Sequence, residues 1–313
     1  MPTTTCGVRI TQLAPFLISP LIWLASPTPA LALEHDQAAG ITLAENSSSE
    51  MDTPTDTPED AEAREKSYLI PALDIVGFDF LLNQFNRHFS NSDDYDSNLN
   101  TIRHNLQSSW HNDHDPFDIN QLGHPYQGSM YHGFARSAGL TYWESLAYTL
   151  GGSAFWEIAG EKTPPSSNDM ISTGIGGSFL GESLFRMSSL ILEKSHLSPF
   201  WRETAAAAVS PATGFNRLAF DRFDQVFSSH DAAWYSRTQI GFANTLHADH
   251  GTSSERKEND GQLDFSLSYG LPGQPGYSYT RPFDYFVFQG TASTINVFEN
   301  IMTRGLLLGT DYS

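Results

Sequence analysis

The chain has 313 residues, 36 acidic against 17 basic, for a formal charge of −19. Proteins hold phosphate backbones through Lys and Arg, so this balance excludes a nucleic-acid partner. The single cysteine, Cys6, lies in a segment expected to be removed, which leaves the mature chain without a disulfide, a thiol nucleophile or a cysteine-held metal.

Residues 1–32 read as a signal peptide. Arg9 precedes an apolar run over 13–24 that Pro15 and Pro20 interrupt, and Ala30-Leu31-Ala32 offers small residues where a signal peptidase cuts. A permanent anchor needs about 20 unbroken apolar residues, so cleavage is expected. Residues 33–68 form an acidic leader rich in Glu, Asp, Ser, Thr and Pro, with too little apolar surface to fold.

A helical module is expected over 69–205. Val76, Phe80, Leu81 and Phe85 recur at helical intervals and predict an amphipathic helix over 73–89. Residues 90–100, rich in Asp and Asn, predict a loop. The next stretch holds His111, Asp113, His114, Asp115, Asp118 and His124. These residue types can ligate zinc or another first-row ion, but their spacing matches no recognised site. They read as a polar loop, and no metal or cofactor is expected.

Three helices follow. The first opens at His124-Pro125, with proline tolerated at a helix start, and stacks Tyr126, Met130 and Phe134 on one face. The second, over 140–158, starts at Thr141 with Glu144 three residues on, a capping-box arrangement. The third covers 169–193. Glu182 and Arg186 meet on one of its faces at i, i+4, and both would be costly in lipid. Gly177 and Gly181 allow another helix to come close. It therefore reads as a helix buried against protein and not as a membrane span.

An antiparallel β region is expected over 206–313, with the hydrophobic period changing from about 3.6 to 2 after Pro211. In residues 262–269, Leu263, Phe265, Leu267 and Tyr269 alternate with polar neighbours. Weaker alternation marks 235–246, 283–288 and 295–308, and the stretches 247–261 and 270–275 predict loops. The fold class is α+β: three to four helices, then an antiparallel meander that could form part of an outer-membrane β-barrel. A closed barrel needs at least about eight strands, so this one would need further strands or several copies, unless the sheet is soluble.

The polar candidates for a core or a site are His124, His132, Arg136, Glu144, Glu157, Glu161, Asp169, Glu182 and Arg186. Glu157 and Glu161 share a helix face, with Glu144 nearby. They could hold a metal, or one could act as a general acid with a raised pKa. The favoured reading pairs them with Arg136 and Arg186 in an internal salt-bridge lock. The glycines at 174, 176, 177 and 181 lack the Lys and Ser/Thr of a phosphate loop, and nothing around Ser145 or Ser153 resembles a nucleophile elbow.

The run Gly123-His124-Pro125-Tyr126-Gln127-Gly128-Ser129-Met130-Tyr131, then Ala135-Arg136-Ser137, Gly139, Ser153, Trp156-Glu157, Glu161, Pro165-Ser166, Asn168-Asp169, Gly176-Gly177, Gly181-Glu182 and Arg186, resembles the bacterial domain family DUF3943. Arg281-Pro282-Phe283-Asp284-Tyr285-Phe286 resembles the start of that family's strand region. The resemblance spans about 70–310 and is densest over 120–190. It implies an outer-membrane or periplasmic protein of a Gram-negative bacterium, with helices preceding a barrel-like region, and it implies no reaction. Family members are generally longer with more strands, and this chain ends at residues 310–313 without the terminal aromatic common in outer-membrane barrels.

The leading expectation is a non-enzymatic envelope protein that meets outer-membrane lipid through its sheet, with the helices in the lumen or on the periplasmic side, alone or as an oligomer. The rivals are an envelope hydrolase acting on lipid or glycan through His124, His132 and the glutamates, and a soluble periplasmic binding module.

Overall fold

The computed structural model describes residues 65–90, 92–114, 119–248, 255–294 and 299–309. The expected signal peptide, nearly all of the acidic leader, Asp115, Asp118 and the chain end lie outside the described residues.

Helix α1 spans Leu69–Phe89. It buries Ile75 and Leu82, whereas Val76, Phe80 and Leu81, the periodic residues that sequence alone would bury, point outward. The loop expected over 90–100 contains one turn, Asp93–Tyr95, and ends at Asn98, whose side chain caps α2, Leu99–Gln107. Helix α3, His124–Ser137, carries its proline at the helix start as expected. In α4, Tyr142–Phe155, the capping box is formed: the Thr141 N–H donates to Glu144 Oε2 (2.7 Å) and the Glu144 N–H to Thr141 Oγ1 (3.3 Å). The third expected helix is α5, Ser167–Ile171, a π turn over Ser172–Gly176, and α6, Gly177–Lys194.

Two further helices, α7 (Pro199–Val209) and α8 (Pro211–Ala219), precede the strands. The change of rhythm placed at Pro211 therefore comes too early. Pro211 opens a helix at its first turn, where the missing N–H costs nothing, and the helical period continues through α8. Strands β1 (Trp234–Ala248), β2 (Glu255–Tyr269), β3 (Phe286–Ser293) and β4 (Asn300–Gly305) form an open antiparallel sheet in the order β1-β2-β3-β4. Most of the loop expected over 247–261 is strand, because β1 and β2 pair as far as Ala248↔Glu255. The backbone ladder supplies that pairing whatever the polarity of the side chains.

Helix α3 is the centre of the module and packs on α1, α4, α6 and α8. Its contact with α6 is made by glycine. A Cβ on Gly177 would lie 2.4 Å from the Gly128 Cα, and one on Gly181 would lie 2.7 Å from the His132 Cβ. The sheet joins the helices through one aromatic core. Tyr142, Met187 and Leu190 meet Leu267, Tyr269, Phe283 and Phe286, with Tyr269 stacked on Phe286 at 5.0 Å. Gly270, at φ +70°, makes the turn after β2, where a Cβ would strike the Asp284 carbonyl.

Gly177→Ala is expected to lower stability by about 1–3 kcal/mol through overpacking. Gly77→Ala, in α1 with nothing within 4 Å of the new Cβ, is expected to raise it by about 0.5–1 kcal/mol through helix propensity. Thermal denaturation of the two variants checks both signs.

Candidate functional site

Glu182 on α6 is fully buried and binds three partners. Arg136 of α3 donates from Nε to Oε2 (2.7 Å) and from Nη2 to Oε1 (3.3 Å), and Arg186 donates from Nε to Oε1 (2.9 Å). His132 Nε2 lies 3.1 Å from Oε2; an ionised carboxylate only accepts, so that nitrogen carries the proton. Arg186 also reaches the sheet side of the molecule, donating from Nη1 to Asp284 Oδ1 (3.1 Å) and from Nη2 to the Pro282 carbonyl. Arg281 binds the same Asp284 oxygen from Nε (3.1 Å). Phe227 covers both inner guanidinium groups, 5.1 Å from Arg136 and 4.8 Å from Arg186.

Burial alone would raise the Glu182 pKa, but Arg136, the His132 hydrogen bond and Arg186 outweigh it and hold the carboxyl well below the usual range. Burial pushes His132 down and keeps it neutral. This is the salt-bridge lock expected of Arg136 and Arg186, with a different carboxylate: Glu182 takes the place assigned to Glu157 and Glu161. The glycine contact between α3 and α6 sets Glu182 beside Arg136.

Glu157 belongs to a second cluster. It lies in a π turn, Trp156–Gly160, and Oε2 accepts the Ser166 N–H (2.9 Å). Burial, and then Glu161, Asp169 and Asp113, push it up to about 9 against that hydrogen bond. His124, the first residue of α3, has Nε2 3.4 Å from Asp169 Oδ1 and Nδ1 3.2 Å from the Thr173 hydroxyl. Burial lowers it to about 4, with Asp113 opposing. Asn168 links the carboxylates, donating to Asp113 Oδ1 (2.7 Å) and Asp169 Oδ1 (3.1 Å). Three π turns, Ile119–Gly123, Trp156–Gly160 and Ser172–Gly176, supply or adjoin these residues.

Glu161 accepts from Trp156 Nε1 (2.9 Å) and the Thr163 hydroxyl (3.2 Å). Glu144 stands apart from both clusters as the α4 cap, paired with Lys66 at 3.2 Å. Among the described residues no group of three or more His, Asp or Glu is placed to hold a metal ion. What the clusters can do is hold charge at Glu182 and store protons at Glu157.

Sequence reasoning passed over Asp79, which accepts the Tyr131 hydroxyl and is pushed up to about 8 by burial, against Tyr131 and Gln127. The available signal was the pair of aspartates, Asp74 and Asp79, within the apolar first half of α1. Asp284 was visible only within the quoted run at 281–286.

Glu182→Gln leaves the buried Arg136 without its carboxylate and Arg186 with Asp284 alone, and is expected to cost about 3–5 kcal/mol of stability in urea or thermal unfolding. The raised carboxyls act with the opposite pH sense. Glu157 moves from 4.5 to about 9 and Asp79 from 3.8 to about 8. Between those limits the folded state keeps protons that the unfolded chain has lost. Their contribution is complete below the lower values and is lost as pH rises through about 8 and 9. Glu157→Gln, which copies the protonated group, is expected to flatten the decline between pH 6 and pH 8 by about 1 kcal/mol per pH unit, measured by urea unfolding at the two pH values.

Compared with known proteins, the chain matches no curated protein and no solved structure. It does match a domain of unknown function, DUF3943, over residues 109–212. That stretch holds His124, His132, Arg136, Glu157, Asp169, Glu182 and Arg186, so both buried clusters lie in it except for the contacts made by Phe227 and by 281–284. The match to that domain of unknown function takes in the helical residues 109–212 and leaves the sheet outside it.

Proposed function

We propose that the chain is a non-enzymatic cell-envelope protein that associates with the outer membrane of a Gram-negative bacterium through its sheet. The observation that carries this reading is the sheet's division into an apolar and a polar face. In register, Trp234, Thr238, Ile240 and Phe242 lie opposite Tyr269, Phe265, Leu263 and Gly261. The other face sets Tyr235, Arg237 and Gln239 opposite Ser268, Ser266 and Asp264. There Asp264 accepts from Gln289 (2.9 Å) and Thr291 (3.0 Å).

Among the described residues the helices cover the apolar face at Leu267, Tyr269 and Phe286, with Phe265 and Phe288 at the margin. Farther along β1, Ile240 and Phe242 are 61% and 86% exposed. From Trp234 to Phe242 the strand rises about 27 Å at ~3.4 Å per residue, close to the ~25 Å apolar band of an outer-membrane strand. The helices dock on the apolar side at one end of the strands. That arrangement favours a module at the periplasmic rim over one inside a polar lumen. Among the described residues no strand pairs with the outer sides of β1 and β4, so a closed wall needs further strands or other copies of the chain. A hydrolase is less well supported: His124, His132 and Glu157 are 5%, 0% and 3% exposed, which leaves a substrate no approach to them.

The exported full-length product is expected in the membrane fraction, extracted only by detergent and migrating faster on a gel when unheated. Release into the soluble periplasm, checked by fractionation with the product's mass confirmed, would refute the proposal.

A further inference from the structure

Helix α1 turns two acids and one amide inward. Asp74, Asp79 and Asn83 are buried on the face that meets the module, beside Ile75 and Leu82. Asn83 is satisfied, donating to the Gly160 carbonyl (2.7 Å) and the Tyr95 carbonyl (2.9 Å). The acids are not: Asp74 Oδ2 and Asp79 Oδ2 are buried without a hydrogen-bond partner, a condition that native interiors seldom tolerate.

The surroundings of Asp74 show what it lacks. The side chain it meets is Asn216 of α8. That amide spends its hydrogens elsewhere, on the Phe134 carbonyl (3.0 Å) and on Ser137 Oγ (2.9 Å). A carbonyl only accepts, so the amide nitrogen must face Phe134 and the group cannot be turned round. What Asn216 has left for Asp74 is Oδ1, which is also buried without a partner. Two acceptors are thus brought together, and a proton on Asp74 turns one of them into a donor. Asp79 accepts the Tyr131 hydroxyl on Oδ1, and that hydroxyl accepts from Gln127 Nε2 (2.6 Å).

The cations near α1 are engaged elsewhere. Lys66 is held by Glu144, Arg87 by Asp96 and Arg217 of α8 by Glu203, and the His88 ring sits on the Gln84 carbonyl. The titratable groups on the elements packed against α1 are Tyr131 of α3, Tyr148 of α4, Glu157 in the π turn 156–160, and Asp93, Asp94 and Tyr95 in the turn that follows α1. Among the described residues no Lys, Arg or His acts on either carboxyl. Burial raises Asp74 to about 6, opposed by Asn216, and Asp79 to about 8, opposed by Tyr131 and Gln127.

We propose that the inner face of α1 is a proton-binding site that controls how the helix docks: one proton bridges Asp74 Oδ2 and Asn216 Oδ1, a second sits on Asp79, and their loss loosens the middle of α1 from α3 and α8. The ends stay held, because the Ser67 N–H donates to the Ala138 carbonyl (3.0 Å) and Asn83 keeps the Gly160 carbonyl. Once ionised, the two carboxylates share one buried face without a counter-charge, and the helix moves outward until water reaches them. Both acids start from 3.8, so docking is strongest below that pH and weakens as pH rises through about 6 and then about 8. This device does not depend on where the chain resides.

The test is hydrogen exchange of the exported chain in neutral detergent, read by mass spectrometry from pH 5 to pH 8 and corrected for the intrinsic rate of each amide. Protection over 74–82 is expected to fall by about tenfold per pH unit and at pH 8 to lie below that of α6. Asp74→Asn/Asp79→Asn copies the protonated acids and lets residue 74 donate to Asn216 Oδ1; it is expected to keep at pH 8 the protection seen at pH 5. Protection over 74–82 that does not change with pH overturns the proposal, as does a fall that merely keeps step with α6 while the whole molecule unfolds. A folded double variant that retains the wild-type pH dependence overturns it too. Should circular dichroism show that the variant does not fold, the wild-type series decides alone.

Discussion

The arrangement of this protein depends on an ionised carboxylate kept away from water. Glu182 is tolerable in the interior only because Arg136 and Arg186 approach from two sides and His132 completes its coordination. Removing one partner of such a group leaves an uncompensated charge, which costs far more than the pair contributes when complete. The requirement dictates the backbone. For Arg136 to reach Glu182, α3 and α6 must lie almost in contact, and glycine at 128, 177 and 181 is what allows it. Arg186 then extends the constraint to the sheet by holding Asp284 and the Pro282 carbonyl. Between those two positions Phe283 takes φ +65° and inserts its ring into the shared aromatic core. The helical module and the sheet are thus joined by a charge network beside an aromatic cluster.

The buried acids fall into two groups set by their neighbours. Glu182 has cations beside it and stays charged. Glu157 and Asp79 have none and stay protonated, and His124 is neutral among carboxylates. Desolvation is common to all of them, and the presence or absence of a guanidinium decides the outcome. Apolar side chains are also exposed on the outside of α1 and on the far part of β1.

Local signals were readable in the residues. The Thr141–Glu144 capping box, the proline start of α3 and the i, i+4 pairing of Glu182 with Arg186 each depend on residues a turn apart, and each is formed. The alternation of 262–269 is β2, with Leu267 and Tyr269 buried. Assignments that needed to know which element lies beside which were not readable. The lock was given the wrong glutamates because nothing along the chain says that α6, and not the end of α4, faces Arg136. The stripe on α1 was turned the wrong way because its inward face is also apolar, so periodicity could not choose between the two sides. Helix α8 was missed because the helical period was taken to end at Pro211, a proline that in fact stands at a helix start.

By itself the sequence determined the class of fold, the start of each central helix and the resemblance to DUF3943, since caps, periods and motif spacings all act over a few residues. Only the tertiary structure decided which carboxylate would be ionised, which would hold a proton and which side of a helix would meet its neighbours. Those outcomes depend on desolvation and on the distance to charges far away along the chain, and neither exists until the elements have packed.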